Sequence, residues 1–132
     1  MKLVLSAGSL YTLPLEKIFE LAHDTGFDGV EVIINYDFQY QDNRALLLDL
    51  AAILPIRSLH APFMELDGWG NKINQTLRTA ELALESGIPL INFHPPSWLG
   101  CELKFWNWLK RLDDCQRDIG RDQVIITIEN MP

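Results

Sequence analysis

Cysteine is scarce in this chain: Cys101 and Cys115 are the only two among 132 residues. The pattern around them places both on one helix, where a separation of fourteen residues corresponds to roughly 21 Å. A disulfide cannot span that, so stability rests on the core, to which Cys115 contributes from the apolar face of its helix. Long apolar runs are missing as well. Nothing approaches the ~20 residues of a membrane-spanning helix, and the opening "MKLVLSAGSLYTLPLEK" meets Tyr11, Pro14 and Glu16 too early for a secretory signal. A cytoplasmic protein without a membrane partner is expected. Basic charge is in deficit, with 11 Lys and Arg against 18 Asp and Glu and a net charge of -7. The basic residues are dispersed, and the one adjacent pair, Lys110 and Arg111, is followed closely by Asp113 and Asp114. A protein that grips nucleic acid usually shows a basic stripe, so nucleic acid is not the expected partner. Low-complexity tracts and linkers are absent too, which leaves residues 1–132 as one expected domain, with 48% hydrophobic content to build its core.

What is present is a rhythm. Short β-rich runs, "KLVLSA", "GVEVII", "IRSLHA", "LINFHP" and "VIITIEN", alternate with longer helical patterns, the signature of βαβ units and a parallel sheet. The first helix is expected from about Pro14 to Gly26, burying Leu15, Ile18, Phe19 and Ala22. The second runs from about Asn43 to Leu54 and stops before Pro55. The third buries Ile73, Leu77, Ala80 and Leu84 and meets Gly87. The fourth buries Phe105, Trp108, Leu109, Leu112, Cys115 and Ile119 and meets Gly120.

Successive strand residues point to opposite faces, and the two parities differ sharply. One holds Leu3, Leu5, Val30, Val32, Leu59, Ile91, Phe93, Val124, Ile126 and Ile128, suited to packing under helices, with Arg57 as the exception. The other holds Val4, Ser6, Glu31, Ser58, His60, Asn92, His94, Thr127 and Glu129, with its polar members toward the C-terminal ends. A doubly wound sheet needs apolar residues on both faces. A (β/α) barrel instead turns one face to its helices and one to its axis, and gathers active-site groups at the C-terminal rim. An α/β fold of the barrel type is therefore expected, present as roughly a half-barrel of five strands and four helices. A flavodoxin-like open sheet is the alternative, because five strands would complete it. Eight βα units take around 250 residues. The expectation is accordingly an N-terminal half of a longer enzyme, or a homo-oligomer that covers the edges of the first and fifth strands.

Pro62 follows His60 by two residues, and Pro95 follows His94 directly. Proline has no N–H to continue a ladder, so each strand ends near its histidine and presents it at the rim. Glu129 follows "VIITI" at a similar point. Three neighbouring strands would thus bring His60, His94 and Glu129 to one height. Two imidazoles and a carboxylate bind zinc well and suit other divalent metals. No local motif such as HExxH adds to this. The competing reading is a pair of histidines that hydrogen-bond to Glu129 for structure alone.

"SLHAPF", "INFHPP" and "ITIENMP", after "TGFDGVEV", resemble the xylose isomerase-like TIM barrel family, which holds sugar isomerases and epimerases together with endonuclease IV-type enzymes. The resemblance covers the whole chain but only the first half of such a barrel. In the endonuclease branch it implies zinc ligation by His60 and His94 and a metal-bridging Glu129, although Pro96 stands where that branch commonly has glycine. In the sugar branch it implies that Glu129 is both a metal ligand and a member of the catalytic acid/base pair, with the histidines lining the substrate pocket. The implied cofactor is a divalent metal: zinc, manganese, cobalt or magnesium. The implied activity is metal-assisted proton transfer beside a carbonyl. Its alternatives are metal-dependent phosphodiester hydrolysis and a non-catalytic half-barrel. The acidic charge favours a small sugar or sugar-like substrate. Glu31, Phe63 and Trp98 are candidate substrate contacts, the first from the inward parity and the aromatics from loops just past the two histidines. His23, near the end of the first helix, is assigned no chemistry.

Overall fold

A computed structural model of the chain describes residues 1–39, 42–94, 102–119 and 123–129. Five strands, β1 (Val4–Ser6), β2 (Gly29–Ile33), β3 (Ile56–His60), β4 (Leu90–Phe93) and β5 (Ile125–Ile128), alternate with four α-helices, α1 (Leu15–Asp24), α2 (Asn43–Ile53), α3 (Lys72–Glu85) and α4 (Glu102–Ile119). All neighbouring strands are parallel, and their order in the sheet is their order in the chain. That order decides between the two expected architectures. A doubly wound sheet reverses at a switch point and carries helices on both faces. A sheet that always steps the same way places its right-handed crossovers on one face. The chain is thus an open half of a parallel (β/α) barrel, with helices outside and the other face toward the axis.

Local chemistry sets the helix ends. Asp42 and Asn71 cap α2 and α3, each side-chain oxygen accepting from two first-turn N–H groups at 3.1 Å. At the far ends of α1 and α3 a glycine in the left-handed region closes the helix, Gly26 at φ 81° and Gly87 at φ 68°. The N–H of Gly26 donates to His23 and that of Phe27 to Ala22; Gly87 and Ile88 repeat the pattern on Leu84 and Ala83. This is the Schellman turn, and it drops Phe27 or Ile88 onto the core just before the next strand.

The core lies between sheet and helices. Val30, Val32, Leu59, Ile91 and Val124 are buried beneath Leu15, Ile18, Phe19 and Ala22 of α1, Leu47 and Leu50 of α2, and Ala80 and Ala83 of α3. A second cluster under α4 joins Ala61, Phe93, Trp108 and Leu112, with the Phe93 ring edge-on to Trp108 at 5.3 Å. The side chains of Phe105, Cys115 and Ile119, and Cys101 with Gly120, lie outside the described residues. Leu3 and Ile128, expected under helices, are exposed at the two edge strands.

Two particulars differ from the alternation pattern. Arg57 is no core misfit: the pairing passes from Val30↔Ile56 to Glu31↔Ser58, so β3 carries an extra residue there. That bulge puts Ile56 in the core and frees Arg57 to reach back and donate to the Asp28 carbonyl at 3.0 Å. On α3 the buried face is centred on Thr76, Thr79, Ala80 and Ala83, with Ile73 and Leu77 only partly buried and Leu84 exposed. The threonines tolerate burial because their hydroxyls donate to Lys72 O at 3.0 Å and Gln75 O at 2.8 Å. Among the described residues no helix is long and apolar enough to cross a membrane.

The arginine stem makes Gly29 obligatory, since a Cβ there would collide with Arg57 Cγ and stand 2.6 Å from Pro55 O. Gly29→Ala is expected to cost about 2–3 kcal/mol by overpacking. Gly26→Ala, strained only by its backbone angle, should cost about 1 kcal/mol. Urea unfolding of the two variants checks this order, and equal costs would contradict it.

Candidate metal centre at the barrel rim

The inner face is built in rows. Ser6, Glu31 and Ser58 are paired across β1, β2 and β3, and the Glu31 carboxylate accepts from Ser6 Oγ at 2.9 Å and Ser58 Oγ at 3.2 Å. The next row is Ile33, His60, Asn92 and Thr127. His94 and Glu129 follow two residues further along their strands. His60 is therefore level with Asn92 rather than with His94, and the single height expected for the three groups is replaced by a step. The offset resembles the stagger that lets strands wrap round an axis. Because it is an even number of residues, all three side chains keep the inner face.

The step brings them together. Glu129 Oε2 lies 3.3 Å from His60 Nε2 and 3.5 Å from His94 Nε2, and one ligand atom from each of the three falls within 4.8 Å of the others. His60 is buried, with Nδ1 at 2.7 Å from the Ala61 carbonyl. A carbonyl only accepts, so Nδ1 carries the proton and, in the neutral ring, Nε2 turns its lone pair toward the carboxylate. Such a convergence of acceptors calls for a positive charge between them, a proton or a cation. A zinc with four ligands at about 2.1 Å sets them about 3.4 Å apart, close to the two His–Glu distances. The fixed outer nitrogen of His60 is the arrangement that orients metal-binding imidazoles. His94 Nδ1 is buried without a partner among the described residues. Burial, reinforced by His60, holds the His94 imidazole below its ordinary pKa against the opposing pull of Glu129. It is thereby biased to the neutral form a metal requires. The residues present fit a divalent cation.

Supporting groups surround the three. Thr127 Oγ1 donates to Ile91 O at 2.8 Å and lies 3.3 Å from Asn92 Oδ1, which turns the Asn92 amide to donate to Glu129 Oε2 at 3.4 Å. Phe63 lies over both imidazoles, stacked on His60 at 4.5 Å and tilted against His94 at 4.7 Å. Glu31 sits a row below, engaged by its two serines. Trp98 and the prolines after His94 lie outside the described residues.

A cluster on the inner face at the C-terminal rim of a parallel sheet defines the class, a protein of the (β/α)-barrel type. Residues 19–132 match the model of the xylose isomerase-like TIM barrel, and the chain belongs to that family. An uncharacterized protein of Mycobacterium leprae is 30% identical over 98% of this chain and 46% of its own length, so the chain spans about half the length of the curated relatives it matches. Two solved structures share the fold. A D-tagatose 3-epimerase-like protein aligns with a TM-score of 0.64 at 20% identity, over all of this chain and 54% of that one. The IolI protein with a bound zinc atom aligns with a TM-score of 0.67 at 18% identity, over 97% and 51%.

One residue at the site was not anticipated. Lys72, in the first turn of α3, donates to the carbonyls of Pro62 at 2.9 Å and of Phe63. Burial pulls its pKa down, against a smaller upward pull from Glu65. A cation in a first helical turn opposes the helix dipole, and that is the signal the sequence offered. Its work is to pin the loop that carries Phe63. Lys72→Met should lower stability by about 1 kcal/mol, the net worth of hydrogen bonds that water can partly replace, with Lys72→Arg closer to wild type. Chemical denaturation of the metal-free chain measures this, and an unchanged midpoint for Lys72→Met would contradict it.

Proposed function

We propose that this chain, as one domain over residues 1–132, supplies the divalent-cation site and a proton-transferring carboxylate of a sugar or sugar-phosphate isomerase or epimerase. The observation that carries the proposal is the convergence of His60, His94 and Glu129 ligand atoms within 4.8 Å from three neighbouring strands. The family membership and the epimerase-like fold neighbour support the reaction class, and the net charge of -7 favours a small substrate over a polyanion.

His60, His94 and Glu129 would hold the cation. When bound, it would polarise the substrate carbonyl and stabilise negative charge developing on its oxygen. Glu129 moves the proton at the carbon beside that carbonyl, as one member of an acid/base pair. Asn92 and Thr127 fix the angle of its carboxylate. Phe63 keeps water from the imidazole faces and, with Trp98, offers an apolar wall to the substrate. Glu31, oriented by its two serines, accepts from a substrate hydroxyl through a remaining lone pair and stiffens the row beneath the site. The barrel half not represented in this chain, or a second copy, would complete the pocket.

The test follows deuterium uptake from heavy water at the carbon beside the carbonyl, across ketoses, inososes and sugar phosphates, with zinc, manganese, cobalt or magnesium supplied in turn. It uses the polypeptide as its cell makes it. Exchange is expected with at least one pair and should disappear in Glu129→Gln. His60→Ala and His94→Ala should each weaken metal binding by about 100-fold or more, beyond the loss typical of outer-sphere partners. Unchanged metal content in both would leave the histidines a purely structural role. Cleavage of abasic DNA by the zinc-loaded protein, without proton exchange, would give the site to phosphodiester hydrolysis instead.

A further inference from the structure

Beside the His60, His94 and Glu129 cluster the turns that follow β1, β2 and β3 enclose a hollow of about 460 Å³, within the size range of small-molecule sites. We propose that this hollow is an apolar subsite that takes an uncharged, planar or near-planar ring carried on the same substrate molecule. The inference rests on the reading of the cluster given above and narrows the substrate to carbonyl compounds with a ring at the non-reacting end.

The hollow is mainly apolar, with a few polar groups at Asn35, Asp37 and the tyrosine hydroxyls. Ala7 and Ile33 are among its lining residues, and the 3-10 turn at Ala7–Leu10 presses so close that a Cβ on Gly8 would collide with Ile33 Cδ1. Tyr11, Tyr36, Phe63 and Met64 also line it, and each leaves half or more of its surface exposed. Single exposed apolar side chains are ordinary, but four large ones grouped round one concavity mark a binding surface. Aromatic walls favour a ring, which can stack or meet them edge-on.

The polar groups exclude other occupants. Among the described lining residues there is no lysine or arginine, and the one carboxylate is Asp37, so a phosphate group finds no counter-charge among them. Asn35 spends its side-chain oxygen on the N–H of Asp37 at 2.9 Å. Phe63 connects the hollow to the chemistry, since the ring that lines it also stacks on His60 at 4.5 Å. A molecule that passes the edge of that ring would place oxygen atoms at the cluster and its own ring in the hollow.

The experiment compares 2-hydroxyacetophenone with hydroxyacetone, two α-hydroxy ketones that differ by phenyl against methyl, by NMR titration of the zinc-loaded, isotope-labelled chain. The phenyl ketone should bind about tenfold more tightly or better and move the amide signals of Ala7, Ile33 and Met64. Benzyl alcohol, which has no carbonyl to offer a metal, should move the same amides without zinc. Met64→Asp, at an exposed position, should erase the phenyl preference while zinc affinity, set by other residues, stays the same. Equal affinities for the two ketones, or no movement of these amides by either ring compound, overturns the subsite. The two readings fail separately. Zinc that misses the cluster while benzyl alcohol still moves the hollow's amides overturns the metal reading alone, and zinc at the cluster with unmoved hollow amides overturns the subsite alone.

Discussion

The rim depends on one constraint, the pairing of β3 with β4 at a two-residue offset. Leu59 pairs with Ile91 and His60 with Asn92, so His94 stands one row above His60 on the same face. A slip of a single residue would turn His60 to the helices and bring Leu59 to the axis, exchanging a ligand for an apolar side chain. The chain guards that register in several places. The ladder runs through His60, whose carbonyl accepts from Ile34 N–H at 2.9 Å, and continues to Ala61, whose N–H donates to Asn92 O at 2.8 Å. Pro62 then ends it. Upstream, the bulge at Arg57 with the bare Gly29 beneath it sets the phase in which Ser58 and His60 face inward.

Once the register holds, electrostatics does the rest. Two imidazole nitrogens and a carboxylate oxygen are held together on side chains positioned by other contacts. Ala61 fixes His60, Asn92 and Thr127 fix Glu129, and Phe63 fills the space over both rings under the grip of Lys72. The half-buried Glu31 in the row beneath accepts from a hydroxyl on each carboxylate oxygen, which holds it in its own row. The inner face away from the rim is less settled by this chain alone, with Val4 and Ile125 exposed on the edge strands. The matched relatives are about twice as long.

Much of this was legible in the sequence, and the reasons are specific. The strands declared themselves by alternation, the helices by their apolar spacing between Pro14 and Gly26, before Pro55 and up to Gly87, and the cluster by two histidines and a glutamate set at strand ends roughly one βα unit apart. Other features were not legible, because they arise from how elements meet. A bulge inserts one residue without altering composition, so Arg57 looked like a misplaced core residue. The buried face of α3 turned onto threonines whose hydroxyls are satisfied within the helix, which a count of apolar positions cannot foresee. Lys72 acts on a loop ten residues earlier, and the step between His60 and His94 is a property of sheet stagger. The hollow beside Phe63 is assembled by three loops that only the fold brings together.

The central claim is that His60, His94 and Glu129 together hold a divalent cation, and zinc X-ray absorption on the metal-loaded chain tests it most directly. The account predicts one zinc per chain in a shell of nitrogen and oxygen at about 2.0–2.1 Å, with the outer-shell scattering of two imidazole rings that falls to one in His94→Gln. A sulfur shell at about 2.3 Å, or imidazole scattering unchanged by that substitution, would contradict it.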